Sequence, residues 1–340
     1  MKKTGCAAVM CALLLCLLCF AVPDGQILWE ASDALYTGTD LPAPTWNLLP
    51  YGVGLAVSAV LAWAVSCGLV RRRTTRCAAV CWLAWSLALG ILFSRILYCV
   101  IEPAYYNPKW LSRLAVLRLW DGGMAMTGVI LGALLAGRIV PEGAALAPTA
   151  LPLFVVGARL SELHTQIGYG PSVSMEGMLA RQVGYATRLN VSVLEAVTAM
   201  VIFLCILLLP RWAKRRGLAL TDAARLRAFV LLYGISQVFM ESLRRDRHMV
   251  WGFTKVQQIL AILLVLAALI MMAKDKAGRL HALRITLAAA VPLVALEFAL
   301  DRADVSILLL YGAYFLILAL YLRGVLRLFR QSLPSLNSEN

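Results

Sequence analysis

Six ionisable side chains lie within or at the end of long apolar runs: Arg95, Arg159, Glu162, Glu195, Glu241 and Glu297. Arg244 follows Glu241 after three residues, which puts both on one helix face. A charge at mid-membrane costs roughly 2.5–3.5 kcal/mol even on the lenient insertion scales, so such groups face a bundle interior and find partners. Guanidinium groups bordering a lipid-facing cavity suit phosphate, which they can grip with two parallel hydrogen bonds. Interior carboxylates suit proton transfer. The chemistry these types imply is binding of a phospholipid headgroup. Blander readings stay open beside it. Glu241 and Arg244 could simply neutralise each other, as could Arg159 and Glu162, and Arg95 could reach along the helix to the interface. Glu297, with Asp301, Arg302 and Asp304 near an outer turn, reads as solvated loop charge.

The elements that position these groups follow from composition. Of 340 residues, 61% are hydrophobic and 15% charged, against about 25% charged in a soluble domain. The mean hydropathy is +0.79. Repeated apolar runs of roughly 18 residues or more mark an all-α polytopic membrane protein, because in lipid each helix must satisfy its own backbone. The runs lack the alternation that a transmembrane β-barrel needs. The net charge of +14 sits mostly in short loops between spans, where it sets orientation and meets anionic lipid, so nucleic acid is not an expected partner. The nine cysteines lie in or beside apolar spans without zinc spacing and read as small buried hydrophobes, so no metal is expected.

Lys2 and Lys3 precede an apolar run at about 5–22, a signal peptide or an N-terminal anchor, and an outer loop then runs to residue 48. Further spans are expected near 49–70, 77–101, 123–140, 146–163, 191–210, 225–243, 255–273, 282–300 and 305–322. With 24–48 outside, Arg71–Arg73, Arg76, Arg138, Arg211, Lys214–Arg216, Lys274, Lys276, Arg323 and Arg327 fall on the cytoplasmic side, as does the C-terminus. Residues 103–121 carry Trp110, Leu114 and Leu117 opposite Lys109, Arg113 and Arg118, the pattern of an interfacial helix. The glycine-bearing stretch 164–190 reads as a small exoplasmic cap. In "DGGMAMTGVILGALLAG", residues 121–137, Gly122 and Gly123 are read as opening a helix whose free amides and dipole favour an anion. Gly128 and Gly132 in the same stretch suit close helix packing.

Read in order, these segments resemble the prolipoprotein diacylglyceryl transferase family. "LPYGVGLAVSAV" is similar to its first core helix, with Tyr51 and Gly52 as the opening pair, and "SRILYCV" to the Arg-bearing end of its second. "WDGGMAMTGVILGALLA" resembles its Gly-Gly helix start, "GARLSEL" its Gly-Arg signature, and "VSVLEA" its Glu-bearing element. "YGISQVFMESLRRD" with "GFTKVQQIL" resembles its closing helix and turn. The resemblance implies a seven-span core over 49–273, preceded by residues 1–48 and followed at 274–340 by an additional transmembrane hairpin and cytoplasmic tail.

It also implies an activity: moving diacylglycerol from phosphatidylglycerol to a lipobox cysteine thiol, forming a thioether and releasing glycerol 1-phosphate. Cations must hold the phosphate and a group must accept the thiol proton. The resemblance assigns catalysis to Glu241, Tyr233 and Arg159, with His164 a substitute base. It assigns lipid binding to Arg159, Arg244, Glu195, Gln237, Thr127, Tyr51, Arg95, Gly122 and Gly123. It implies no cofactor. It implies as partners phosphatidylglycerol or another anionic phospholipid, together with preprolipoproteins, for a monomer in the bacterial cytoplasmic membrane with its active side outward. This chain departs from the pattern at several positions. Thr127 stands where the family has His, Gln237 where it has Arg, Glu162 and Thr165 where it has Asn, and Ile167 where it has Glu. A non-catalytic relative that binds phospholipid or lipoprotein is the alternative these departures keep open. A transporter using Glu195, Glu241 and Glu297 as a relay lacks the inverted repeat expected of that class.

Overall fold

The structure, a computed structural model, describes residues 49–70, 74–101, 125–164, 168–245, 250–251, 254–302 and 306–335. The expected interfacial helix at 103–121 and the N-terminal segment lie outside these residues. Among them, seven helices are long and apolar enough to cross a membrane. The chain is an all-α polytopic membrane protein with a small sheet added. It divides into two compact units, one reaching to Val197 and including Arg245, the other beginning at Thr198.

In the first unit, α1 (Leu49–Leu69) packs on α4 (Ala147–Ser161), and α2 (Arg76–Ile101) packs on α3 (Met126–Ile139). The α2–α3 contact is made by small residues. A Cβ on Gly128 would lie 2.3 Å from Ser94 Cα, and one on Gly132 would lie 2.3 Å from the Gly90 nitrogen. The expectation of close packing at Gly128 and Gly132 therefore holds. Lipid tails are as apolar as leucine, so two membrane helices gain little by excluding lipid and gain chiefly by backbone proximity.

The helix start differs from expectation. Ala125 is extended and its amide donates to Ser94 O at 3.2 Å, so α3 begins at Met126 rather than at Gly122 and Gly123. Those two glycines precede the helix and lie outside the described residues. At 14 residues α3 is about 21 Å long, short of a hydrocarbon core of about 30 Å.

The cap is a three-stranded antiparallel sheet in the order β1 (Tyr169–Ser172), β3 (Ala186–Asn190), β2 (Ala180–Val183). Val183 pairs with Ala186, so Gly184 and Tyr185 form a two-residue turn, and Gly184 takes φ +60°. Positive φ at such a turn is the reason for glycine there. The Arg188 guanidinium lies 5.1 Å above the Tyr169 ring and ties β3 to β1. β3 passes directly into α5 (Val191–Arg215), which continues into the second unit.

In the second unit α6 (Asp222–Leu243) packs on α7 (Val256–Met272), with the short strands β4 (Val250–Trp251) and β5 (Thr254–Lys255) between them. Thr221 starts α6 by accepting a hydrogen bond from Ala224 N at 3.1 Å. The terminal hairpin, α8 (Lys276–Arg302) and α9 (Ile307–Ser332), packs against α6 and α7.

Glu297 departs from its reading as a solvated charge. It is 8% exposed and accepts from Gln258 Nε2 at 2.5 Å, while Asp301 and Arg302 beyond it are exposed as expected. The apolar surroundings on α8 leave an acid nowhere to go but toward a donor on α7.

The Gly132 contact carries a prediction. Gly132→Val forces α2 and α3 apart and lowers the thermal midpoint of the detergent-solubilised protein by several degrees. Gly68→Ala, which meets nothing within 4 Å, leaves it unchanged; both are read by scanning fluorimetry.

Candidate functional site

The last turn of α4, the short turn Glu162–His164 and the first turn of α5 bring one cation between two acids. Arg159 Nη1 donates to Glu162 Oε1, and Arg159 Nε lies 2.6 Å from Glu195 Oε2. All three residues are at most 6% exposed. The Arg159–Glu162 half is the i,i+3 pairing foreseen from spacing; the Glu195 half closes the cluster from another helix. Ser192 donates to the second oxygen of Glu162 at 2.7 Å, so each oxygen of that carboxylate has a named partner. Neither acid is left uncompensated, as burial requires.

Gly168 makes this arrangement fit. Its φ is +78°, and a Cβ there would stand 1.9 Å from Ser192 Oγ. Its carbonyl accepts from Val191 N at 2.9 Å and Ser192 N at 3.2 Å, satisfying amides at the start of α5 that have no partner within the helix. A second cation comes from the cap. Arg181 Nη2 donates to Leu163 O at 3.3 Å. Burial pulls the Arg181 guanidinium below its ordinary range, and the charge of Glu162 opposes that pull.

Arg95 on α2 and Thr127 on α3 are both buried in the same unit. Arg95 is completely buried, so it does not reach out to the interface, and Thr127 is 7% exposed. Tyr51 is half-buried on α1. Between α1, α2, α3 and α4 lies a cavity of about 100 Å³. Its walls are almost wholly apolar and include Gly52, Ala59 and Trp63 of α1, Leu87 of α2, Val129 of α3 and Phe154 of α4.

In the second unit Tyr233, Gln237 and Glu241 follow one another at four-residue spacing along α6, all buried. Arg244 caps the helix in extended conformation, with its Nε 3.7 Å from Glu241 Oε1. The pairing expected from their three-residue spacing is present, and both residues are buried. The Tyr233 ring stacks on Phe229 with centroids 5.6 Å apart. Lys255 Nζ donates to the carbonyl of Arg244, which brings a further cation to this end of the helix.

The structure thus gathers Arg159 with Glu195, sets Tyr233, Gln237, Glu241 and Arg244 along one helix, and buries Arg95 on α2 and Thr127 on α3. Gly122, Gly123, Thr165, Ile167 and the His164 side chain lie outside the described residues. Sequence reasoning missed Ser192, Arg181 and Lys255. Ser192 had one signal, its three-residue spacing from Glu195; the other two are brought in only by the cap and by the β4–β5 turn.

A profile described as prolipoprotein diacylglyceryl transferase matches residues 42–274. The chain is similar to phosphatidylglycerol–prolipoprotein diacylglyceryl transferases of several bacteria. It is 23% identical to that of Listeria monocytogenes over 64% of this chain and 82% of the relative. It is 24% identical to that of Halalkalibacterium halodurans over 66% and 80%, and 26% identical to that of Limosilactobacillus reuteri over 56% and 73%. With the profile covering well over half its length, the chain belongs to the prolipoprotein diacylglyceryl transferase family.

Proposed function

We propose that this protein transfers diacylglycerol from phosphatidylglycerol to the cysteine thiol of a preprolipoprotein, with release of glycerol 1-phosphate. The observation that carries the reading is the buried Arg159 held between Glu162 and Glu195, in a chain whose relatives bear that activity in their names. The hydrogen bond from Nη1 to Glu162 and the carboxylate of Glu195 beside Nε hold the guanidinium in place, and a held guanidinium is a good receiver for a phosphate.

Arg159 in the first unit and Arg244 in the second each offer a phosphate-binding cation, with Glu195 orienting the first. Glu241 is the acceptor for the thiol proton, with Tyr233 two turns before it on the same helix. Gln237 and Thr127 serve as neutral hydrogen-bonding groups, and His164 is available as a substitute base. Arg95, Tyr51, Gly122 and Gly123 complete the lipid-binding set. The apolar cavity beside Trp63 takes part of an acyl chain. The protein is a monomer in the bacterial cytoplasmic membrane, its active side outward and its C-terminus in the cytoplasm. The basic helix ends and connections at Arg138, Arg211–Arg216 and Lys274–Arg279 support that orientation.

One observation favours a second reading, a non-catalytic lipid-binding relative: two acids already engage Arg159. The two readings separate on one measurement, glycerol 1-phosphate release by the reconstituted protein given phosphatidylglycerol and a lipobox peptide. Turnover by wild type is expected, and Glu241→Gln and Arg244→Ala should each lower it by about 10²–10⁴-fold. No release by a wild type that still binds phosphatidylglycerol would establish the non-catalytic reading.

A further prediction follows from the charge balance around Arg159. Glu162→Gln keeps an acceptor for Ser192 at the same reach but removes one negative charge, so it should lower the KM for phosphatidylglycerol severalfold. An unchanged or raised KM in the same assay would show that Glu162 does not compete with the headgroup.

A further inference from the structure

The hairpin α8–α9 begins beyond the matched region, yet it is not merely appended to the bundle. It delivers two hydroxyl groups to carbonyls of α6. Tyr311 OH donates to Ser242 O at 2.9 Å, and Tyr314 OH donates to Val238 O at 3.2 Å. Ser242 lies in the last turn, where helix carbonyls have no amide partner of their own. Val238 O also accepts from Gln258 Nε2 at 3.2 Å, and the same nitrogen donates to Glu297 Oε1 on α8.

Around this polar group the Phe239 ring is enclosed by aromatic rings of α9. Its centroid lies 6.3 Å from that of Tyr311, 6.0 Å from Tyr314 and 6.1 Å from Phe315. At the other end, Ala219 N donates to Pro334 O at 2.9 Å and Leu218 bridges to Ser335, so the segment after α9 also holds the entry to α6.

Apart from the Gln258–Glu297 bond between α7 and α8, these contacts fall on α6 or its approach, and those at the far end surround the turn that carries Glu241 and Arg244. A helix end in hydrocarbon frays when its carbonyls lose donors, since no water replaces them. We infer that the C-terminal hairpin is a positioning element for the end of α6: Tyr311 and Tyr314 hold the carbonyls of Ser242 and Val238, and thereby fix Glu241 and its partner Arg244. Glu297 acts one step back by orienting Gln258. The inference rests on the reading that Glu241 and Arg244 serve the transfer reaction.

The test uses the full-length protein in phosphatidylglycerol nanodiscs, with hydrogen exchange read by mass spectrometry and glycerol 1-phosphate release read on the same samples. Tyr311→Phe with Tyr314→Phe keeps both rings and removes both hydroxyls. Exchange at 240–245 is expected to rise about tenfold, and about threefold for Tyr311→Phe alone, while exchange in α2 and α4 is unchanged. The kcat should fall by a similar factor with the KM for phosphatidylglycerol unmoved. Tyr321→Phe is the control, because among the described residues its hydroxyl meets Thr286 within the hairpin, at 3.0 Å. It should alter neither readout.

Unchanged exchange at 240–245 overturns the inference. So does an equal rise throughout the chain or in the control, which would mean general loosening. Faster exchange with unaltered kcat would overturn the link to Glu241 and Arg244. Faster exchange in a protein whose wild type releases no glycerol phosphate would leave the hairpin's hold on α6 standing and sink the transferase reading instead.

Discussion

A charge taken into hydrocarbon must bring its counter-charge or its hydrogen-bond partners along, and the buried clusters of this protein are arranged around that constraint. Arg159 stands between Glu162 and Glu195, Arg244 beside Glu241, and Glu297 against Gln258. Removing one member of such a buried pair typically costs about 3–5 kcal/mol, because the survivor is left charged and dry. Neighbouring backbone bends to keep the partners in reach. Gly168 takes a conformation other residues avoid, Ala125 stays extended to give its amide to Ser94, and Arg244 leaves helical geometry at the end of α6. The same pairing that makes these ions tolerable also fixes their directions, and directed charge is what phosphate chemistry needs.

The apolar framework contributes by proximity. Gly128 and Gly132 bring α3 against the backbone of α2, so the two helices meet without intervening side chains. The second unit uses the opposite device, large rings from α9 enclosing Phe239. Small residues give a contact that cannot be widened cheaply, whereas aromatic rings give area and leave a hydroxyl for a carbonyl. Both are ways of gaining specificity where lipid offers no hydrophobic push.

The spans were legible because hydropathy sums over many residues and tolerates local error. The expected 77–101 and 255–273 became Arg76–Ile101 and Val256–Met272. Pairings within one helix turn, Arg159 with Glu162 and Glu241 with Arg244, were legible for the same local reason. What sequence could not place depends on partners far along the chain. Glu297 looked solvated because Gln258 is 39 positions away, and Ser192 was passed over because Glu162 is 30 positions away. The start of α3 at Met126 coincides with a tertiary bond from Ala125 to Ser94, which the local pattern does not announce. The cap strands, four or five residues each, are too short for alternation to declare them.

The junction of β3 with α5 has a mechanical consequence. Asn190 ends the strand and Val191 begins the helix with no linker between them, and both are at least 96% buried. With Gly168 O bonded to the first amides of α5, the sheet is clamped to the helix from two sides. The cap therefore has no linker to hinge on where it meets the first turn of α5. A polypeptide pressing on the β2–β3 tip, where Tyr185 stands almost fully exposed, would load the turn that carries Ser192 and Glu195.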